Sequence, residues 1–132
     1  MARLQRQSDK NLEGKRILIV EDNPLMGEIL KELLATYDHA SHVSSGKEAL
    51  KQVKRNPPDI ILLDLTLPDV SGLEVATSVR RNKKTKSIPI LAMSATPVEK
   101  RKWLKAGCTD FILKPFSIPN LLGRLSMLLR PK

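Results

Sequence analysis

The sequence has 132 residues, of which 41% are hydrophobic and 28% charged, a composition typical of one globular domain that excludes an intrinsically disordered chain. No apolar stretch approaches the roughly 20 residues of a membrane-spanning helix, and residues 1–15 lack the apolar core of a secretory signal. Cys108 is the only cysteine, so no internal disulfide is needed, and we expect a cytoplasmic protein.

The net charge of +9 is concentrated in three basic segments, residues 1–15, 80–86 and 100–105. Such a charge suits nucleic acid or another acidic partner, but it also occurs on solvated helix ends and loops. The chain has only four Phe, Trp and Tyr residues, which gives little material for stacking on single-stranded nucleic acid. We therefore favour a solvated surface over a nucleic-acid site.

Two kinds of segment alternate after residues 1–14, which we interpret as a flexible lead-in. Short apolar runs predict buried strands, and apolar residues at three- and four-residue steps predict helices. In chain order the prediction is strand 16–20, helix 24–37, strand 40–43, helix 45–55, strand 60–63, helix 72–81, strand 88–93, helix 97–106, strand 111–113 and helix 117–130. The expected caps are Asn23, Ser44 or Ser45, and Ser117, and Pro97 and Gly107 should bound the fourth helix.

Five alternating units over residues 15–132 predict an α/β fold with a doubly wound parallel sheet and helices on both faces. In such folds the ligand site lies beyond the carboxyl ends of the strands, where the strand order reverses. The polar residues follow this rule. Glu21 and Asp22 end the first strand, Asp64 ends the third, Ser94 the fourth and Lys114 the fifth.

Three carboxylates brought together from two strands repel one another unless a cation joins them. Mg²⁺ suits this set because it takes one or two carboxylates, waters and a substrate phosphate. Asp64 could then attack phosphorus as a nucleophile and form an acyl phosphate. Lys114 and the metal would neutralise the phosphoryl oxygens, and the Ser94 hydroxyl could donate to one of them.

Each residue also has a plainer interpretation. Glu21 and Asp22 could merely favour the start of the following helix through its dipole, and Asp64 could cap a loop. Ser94 alone is most often a turn residue, and Lys114 alone is most often a solvated lysine. Their joint placement at four strand ends favours a chemical site.

The sequence resembles the receiver domain of response regulators over about residues 15–129. The matching stretches are Ile17-Leu18-Ile19-Val20-Glu21-Asp22-Asn23, residues 58–64, Leu67-Pro68-Asp69-Val70-Ser71-Gly72-Leu73-Glu74, residues 88–95, and Gly107 through Lys114-Pro115-Phe116. The resemblance implies a flavodoxin-like fold with five helices and the strand order 2-1-3-4-5.

The resemblance also implies a role for each site residue. Asp64 would be the phosphoacceptor and Lys114 the phosphoryl contact, with Ser94 as the hydroxyl switch and Phe111 as the aromatic switch. Mg²⁺ would be held by Glu21, Asp22, Asp64 and the backbone carbonyl of Thr66, with Asp22 a direct ligand.

The implied phosphodonor is a sensor histidine kinase or a phosphotransfer protein. The implied output is a protein partner on the face made by the fourth helix, the fifth strand and the fifth helix, or a phosphorylation-dependent dimer. The stretch from Ser94 to Lys114 is slightly shorter than usual and contains Pro97, which bears on this output face. We expect a signalling switch that assists only its own phosphorylation and dephosphorylation, rather than an enzyme.

Other interpretations are weaker. A constitutive binding module that is never phosphorylated would not need the complete acceptor site. An aspartyl-nucleophile phosphohydrolase usually has a second acid two residues after the nucleophile, where this chain has Thr66. A transcription factor would need a DNA-binding domain, and the predicted domain fills this chain.

We expect no part in the chemistry for three further residue types. Trp103 should pack on the fourth helix and could anchor a partner. His39 and His42 should be surface residues away from the acids, and Cys108 should be a small buried side chain.

Overall fold

The predicted strands form one parallel sheet in a computed structural model that describes residues 10–36 and 39–131. The strands are β1 (Arg16–Val20), β2 (His39–Val43), β3 (Ile60–Asp64), β4 (Ile90–Ser94) and β5 (Asp110–Leu113), in the order β2-β1-β3-β4-β5. Every neighbouring pair is parallel. The order reverses at β1, so the carboxyl ends of β1 and β3 lie beside each other at the switch point. The expected fold class and strand order are confirmed.

Five helices connect and cover the sheet: α1 (Pro24–Ala35), α2 (Gly46–Arg55), α3 (Gly72–Arg81), α4 (Lys100–Ala106) and α5 (Ile118–Leu128). Four of them begin with a side-chain cap, because Asn23, Ser45, Ser71 and Ser117 each accept a backbone N–H three residues later. Ser45, not Ser44, is therefore the cap of α2. No helix in the described part of the chain is long and apolar enough to cross a membrane.

The sheet is buried on both faces, which explains the unbroken apolar runs. In β1, Leu18 and Val20 enter a core shared with α2, α3 and α4, while Ile17 and Ile19 enter a second core shared with α1 and α5. β3 is buried along its whole length, including its last residue, Asp64. The strands that deliver the acidic residues are thus held rigidly from both sides.

Helix α4 begins later than expected. Pro97 was predicted to open it, but the backbone is still extended at Glu99, with φ −56° and ψ 132°, and the helix starts at Lys100. Glu99 makes no side-chain cap. Gly107 ends the helix as predicted, in the left-handed conformation with φ 105°. The result is a seven-residue helix after an irregular loop.

The segment before β1 packs on the domain in its described part. Residues 10–12 form a helical turn, Leu12 is buried in the core shared with α1 and α5, and Asn11 donates to the backbone and hydroxyl oxygens of Ser126 on α5. Part of the segment predicted as a flexible lead-in, residues 1–14, thus packs on the domain, because an apolar side chain gains free energy by entering the core. Residues 1–9 lie outside the described part.

Candidate functional site

Three carboxylates converge at the carboxyl ends of β1 and β3. Oxygen atoms of Glu21, Asp22 and Asp64 all lie within 4.8 Å of one another. Glu21 and Asp64 are 1% and 4% exposed, whereas Asp22 is exposed to solvent. The sequence-based prediction of these three neighbours is thus matched by the geometry. Two of the acids lie where burial makes a negative charge costly, and one faces the water.

Lys114 supplies a positive charge within the same cluster. Its Nζ lies 2.5 Å from Glu21 Oε1 and 3.1 Å from Asp64 Oδ2. The Lys114 backbone N–H donates to the carbonyl of Ser94 at 2.8 Å, which ties the lysine to the end of β4. Burial alone would lower the pKa of Lys114, but its hydrogen bonds to Glu21 and Asp64 raise it. The lysine therefore stays protonated and aimed at the acids.

The single positive charge of Lys114 does not neutralise the negative charge of the three carboxylates. Burial and a hydrogen bond with Asp64 together raise the pKa of Glu21 from 4.5 to about 7, against the lowering by Lys114. In the absence of a metal ion, protonation of Glu21 removes its repulsion from Asp64. A divalent cation would relieve the same repulsion while leaving both groups ionised.

The donor set fits Mg²⁺. All three side chains offer oxygen, which hard cations prefer, and the exposed position of Asp22 leaves room for waters in the coordination shell. Glu21, Asp22 and Asp64 are the residues that would hold the ion. The same three would lose their mutual repulsion on binding it.

The loop after β3 fixes the direction of the Asp64 side chain. Asp64 Oδ1 accepts the backbone N–H of Thr66 at 2.8 Å, so one oxygen is bound by the loop and the other faces Lys114. The Thr66 side chain is exposed. Asp69, further along the loop, accepts the backbone N–H groups of Gly46 and Lys47 at the start of α2. The first of these bonds lowers the pKa of Asp69, which keeps this anchor ionised.

Gly72 closes the loop against the acceptor. A Cβ at this position would lie 2.6 Å from the carbonyl oxygen of Asp64 and 2.5 Å from Cα of Leu65, both backbone atoms that cannot yield easily. The spacing of Asp69 and Gly72 in the sequence therefore has a physical cause. One residue anchors the loop to α2, and the other lets α3 approach the backbone of Asp64.

Ser94 lies at the end of β4 and is 1% exposed. Its hydroxyl oxygen accepts the backbone N–H of Thr96 at 3.2 Å and lies 3.4 Å from the Thr96 hydroxyl. The hydroxyl is thus held by its own loop in this conformation. Thr96 is a contact that sequence reasoning missed, although its position two residues after Ser94 is the usual spacing of such a turn.

Phe111 lies on β5 and stacks on Trp103 of α4, with ring centroids 6.0 Å apart and planes 13° apart. Trp103 is 8% exposed, so its expected packing role is confirmed. Because the stack joins α4 to β5, a rotation of the Phe111 ring would change its contact with Trp103. Sequence reasoning named both residues but did not foresee their contact.

His42 is not the surface residue that the sequence suggested. Its Nε2 lies 2.7 Å from the backbone carbonyl of Glu21, and its ring lies so close to α1 that a Cβ on Gly27 would clash with it. The physical reason is that β2 pairs with β1, which brings residue 42 beside residue 19 and next to the loop after Val20. A glycine inside a helix was the only available signal for this contact.

Arg80 and Cys108 are structural. The Arg80 guanidinium donates to the carbonyls of Gly107, Lys86 and Ile88, so this member of the basic run 80–86 holds loops together. Cys108 is buried as expected, and burial raises the pKa of its thiol to about 11, which leaves it unreactive at neutral pH.

The sheet and the acidic pocket at its switch point define a receiver-type α/β domain. The chain belongs to the response regulator receiver domain family, whose model matches residues 17–126. It therefore belongs to two-component signalling. The fold and family that the sequence suggested are confirmed.

Three relatives show the extent of the similarity. The polar-differentiation response regulator DivK of Brucella ovis is 33% identical over 82% of this chain and 90% of its own length. The receiver domain of sensor histidine kinase PA1611 from Pseudomonas aeruginosa, solved with magnesium in its active-site cleft, is 28% identical, with a TM-score of 0.80 over 88% of this chain and 98% of its own. The Francisella response regulator 1452 receiver domain gives 26% identity and a TM-score of 0.79 over 88% and 97%.

Other curated relatives are longer. The chain spans between 8% and 48% of the length of four of them. The activities of those whole proteins therefore do not transfer to this chain.

The first prediction concerns Gly72. We expect Gly72→Ala to lower the free energy of unfolding by about 1–3 kcal/mol, because the added methyl group would meet backbone atoms of Asp64 and Leu65. Gly123→Ala is the matched control, since a Cβ there meets nothing within 4 Å and alanine favours a helix by up to about 1 kcal/mol. Urea denaturation measures both. Equal stabilities of the two variants would contradict the close approach at Asp64.

The second prediction concerns pH. Since the pKa of Glu21 is raised from 4.5 to about 7 on folding, its protonated form contributes stability that is fully present below 4.5 and is lost as the pH rises through 7. In EDTA, the stability of the wild type relative to Glu21→Gln should fall across this window, by at most about 1.4 kcal/mol per pH unit. Denaturation at several pH values checks this, and parallel curves for the two proteins would refute it.

Proposed function

We propose that Asp64 accepts a phosphoryl group in a Mg²⁺-dependent reaction and that the domain acts as a phosphorylation switch. The observation that carries the proposal is the placement of Asp64. One of its oxygens is fixed by the Thr66 N–H, the other faces Lys114, and the carboxylates of Glu21 and Asp22 complete a cation site beside it. These are the parts that in-line phosphoryl transfer to a carboxylate requires.

In the proposed reaction, the Asp64 carboxylate attacks phosphorus and the bond from phosphorus to the donor breaks. The bond electrons leave with the donor, which for a phosphohistidine is the imidazole nitrogen, and the product is an acyl phosphate. When bound, Mg²⁺ supplies positive charge to the phosphoryl oxygens. Hydrolysis by water would return the carboxylate and release inorganic phosphate, so the domain ends the cycle unchanged.

The residues of the chain have separate tasks in this proposal. Lys114 pairs with a phosphoryl oxygen, for which its contact with Asp64 already positions it. Thr66 would offer its backbone carbonyl to the metal. Ser94 would exchange its Thr96 contact for a hydrogen bond to phosphate, and Phe111 would move with it. Because Phe111 stacks on Trp103, the movement would reach α4 and the face formed by α4, β5 and α5.

The proposed donor is a sensor histidine kinase or a phosphotransfer protein. The surface beside Lys114 suits a protein donor because a groove lined by Met26, Ile29, Pro115, Phe116 and Ile118 opens next to it. Ile29 and Ile118 are 49% and 39% exposed, which leaves apolar surface for a partner to cover. We place this exchange in the cytoplasm.

The test is the mass of the intact chain after incubation with acetyl phosphate and Mg²⁺. We expect one phosphoryl adduct that is absent with EDTA and in Asp64→Asn. Asp59→Asn is the matched control, because Asp59 lies just before the opposite end of β3 and should leave the adduct intact. An adduct that persists in Asp64→Asn would show that another residue is the acceptor. No adduct on any variant would favour a constitutive binding module.

A further inference from the structure

The positive charge of the described chain is concentrated in its last quarter. Residues 10–36 and 39–98 contain thirteen basic and ten acidic residues, whereas residues 99–131 contain seven basic and only two acidic ones. Lys114 belongs to the site already described. The other six basic residues lie on or beside α4 and α5, namely Lys100, Arg101, Lys102, Lys105, Arg124 and Arg130.

Both acids of this segment already have a basic neighbour. Asp110 at the start of β5 accepts from Arg124 Nη1 at 2.9 Å, and Glu99 lies 3.9 Å from Arg101. The face formed by α4, β5 and α5 therefore presents no acidic group without an internal partner among the described residues. Any macromolecule that covers it must supply negative charge from its own side.

Each element of this face also exposes at least one large apolar side chain. Leu104 on α4 is 47% exposed, Leu113 on β5 is 45% exposed, and Met127 on α5 is 65% exposed. Leu113 and Phe111 point to the same side of β5, since they are two residues apart, and that is the side on which Trp103 of α4 stacks. Met127 lines a groove with Asp110, Gly123 and Arg124. Apolar side chains of this kind are anchors for protein, which can bury them.

We propose that this face binds an acidic amphipathic segment of another protein, whose carboxylates meet the lysines and arginines of α4 and whose apolar side chains cover Leu104, Leu113 and Met127. This inference rests on the proposed function, because it names the kind of partner that the output face of the switch would bind. Charge complementarity and the exposed apolar side chains together favour this kind of partner. Gly123 strengthens the fit, because a Cβ there would meet nothing within 4 Å and a partner can approach α5 closely.

A second copy of the chain fits this face poorly. A two-fold interface places the same surface on both sides, so the basic residues of α4 would lie opposite a face that is itself basic. Among residues 99–131, only Glu99 and Asp110 could pair with them, and each already lies beside an arginine of its own chain. Nucleic acid would satisfy the charge but would leave three apolar side chains against phosphates and sugars.

The test is an NMR titration of the ¹⁵N-labelled chain with two synthetic helical peptides of about 18 residues, or five turns. Both carry leucines on one face, and the opposite face carries glutamates in one peptide and lysines in its twin. We expect the acidic peptide to shift the amide signals of Leu104, Lys105, Leu113 and Met127, and to bind at least tenfold more tightly than the lysine twin. The titration is made on metal-free protein and on protein with Mg²⁺ and beryllofluoride.

The matched variants separate this face from general charge. Lys100→Glu/Arg101→Glu/Lys105→Glu changes three exposed residues of α4 and should weaken the acidic peptide at least tenfold. Lys47→Glu/Lys51→Glu/Lys54→Glu makes the same charge change on α2, which packs on α3 rather than on this face, and should leave the affinity nearly unchanged. Equal losses in both variants, or equal binding of the two peptides, would overturn the proposal.

The other occupants have their own readouts. Tighter binding of a DNA duplex of similar length through the same amides would replace the proposal with nucleic-acid binding. Sedimentation of the activated chain as a dimer, with signals from Leu104 and Met127 shifted by self-association, would replace it with a second copy. If the peptide binds but the intact-mass test shows no phosphoryl uptake, the acidic-partner surface stands and the proposed function fails. If uptake occurs without peptide binding, the proposed function stands and this inference fails.

Discussion

The chemistry of the site depends on two carboxylates that are buried side by side. Glu21 directly follows β1 and Asp64 ends the neighbouring strand β3, and both are almost fully removed from water, which makes their negative charges costly. Lys114 contacts both carboxylates and neutralises only part of their charge. Burial and the hydrogen bond with Asp64 therefore still raise the pKa of Glu21 to about 7. The pocket therefore carries excess negative charge and attracts positive charge. It can be satisfied by a proton, by a divalent cation, or by a cation together with a phosphoryl group.

The fold holds this unfavourable arrangement in place through backbone contacts. β3 is packed from both faces, Thr66 fixes one oxygen of Asp64, and Gly72 lets α3 lie against its carbonyl. On the other side, the backbone bond from Lys114 to Ser94 keeps the lysine at the end of β4. The parts that we propose to move on phosphorylation are the side chains of Ser94 and Phe111. Their neighbours Thr96 and Trp103 connect the acidic pocket to α4, where basic and apolar residues face solvent.

Much of this architecture could be predicted from the sequence because it is encoded locally. Runs such as residues 60–63 mark strands buried on both faces, and Asn23 and Ser117 mark helix starts. The acids at the ends of β1 and β3 could be expected to meet because parallel strands share one edge of the sheet. Contacts between distant segments could not be predicted this way. Leu12 in the core, His42 against Glu21 and the Trp103–Phe111 stack all depend on which element lies beside which. The late start of α4 depends on the extended backbone at Glu99, and no side-chain cap in the sequence marks this helix start.

The central claim is that Asp64 and its acidic neighbours bind Mg²⁺ and a phosphoryl group together. A crystal structure with Mg²⁺ and beryllofluoride, which mimics a phosphoryl group, tests it most directly. The account predicts beryllium on an oxygen of Asp64 and a metal ion about 2.1 Å from carboxylate oxygens of Asp22 and Asp64. It also predicts that Lys114 leaves Glu21 for a fluoride and that the Ser94 hydroxyl turns toward another. A structure in which Asp64 stays unmodified, with Lys114 still paired to Glu21 at saturating ligand, would contradict it.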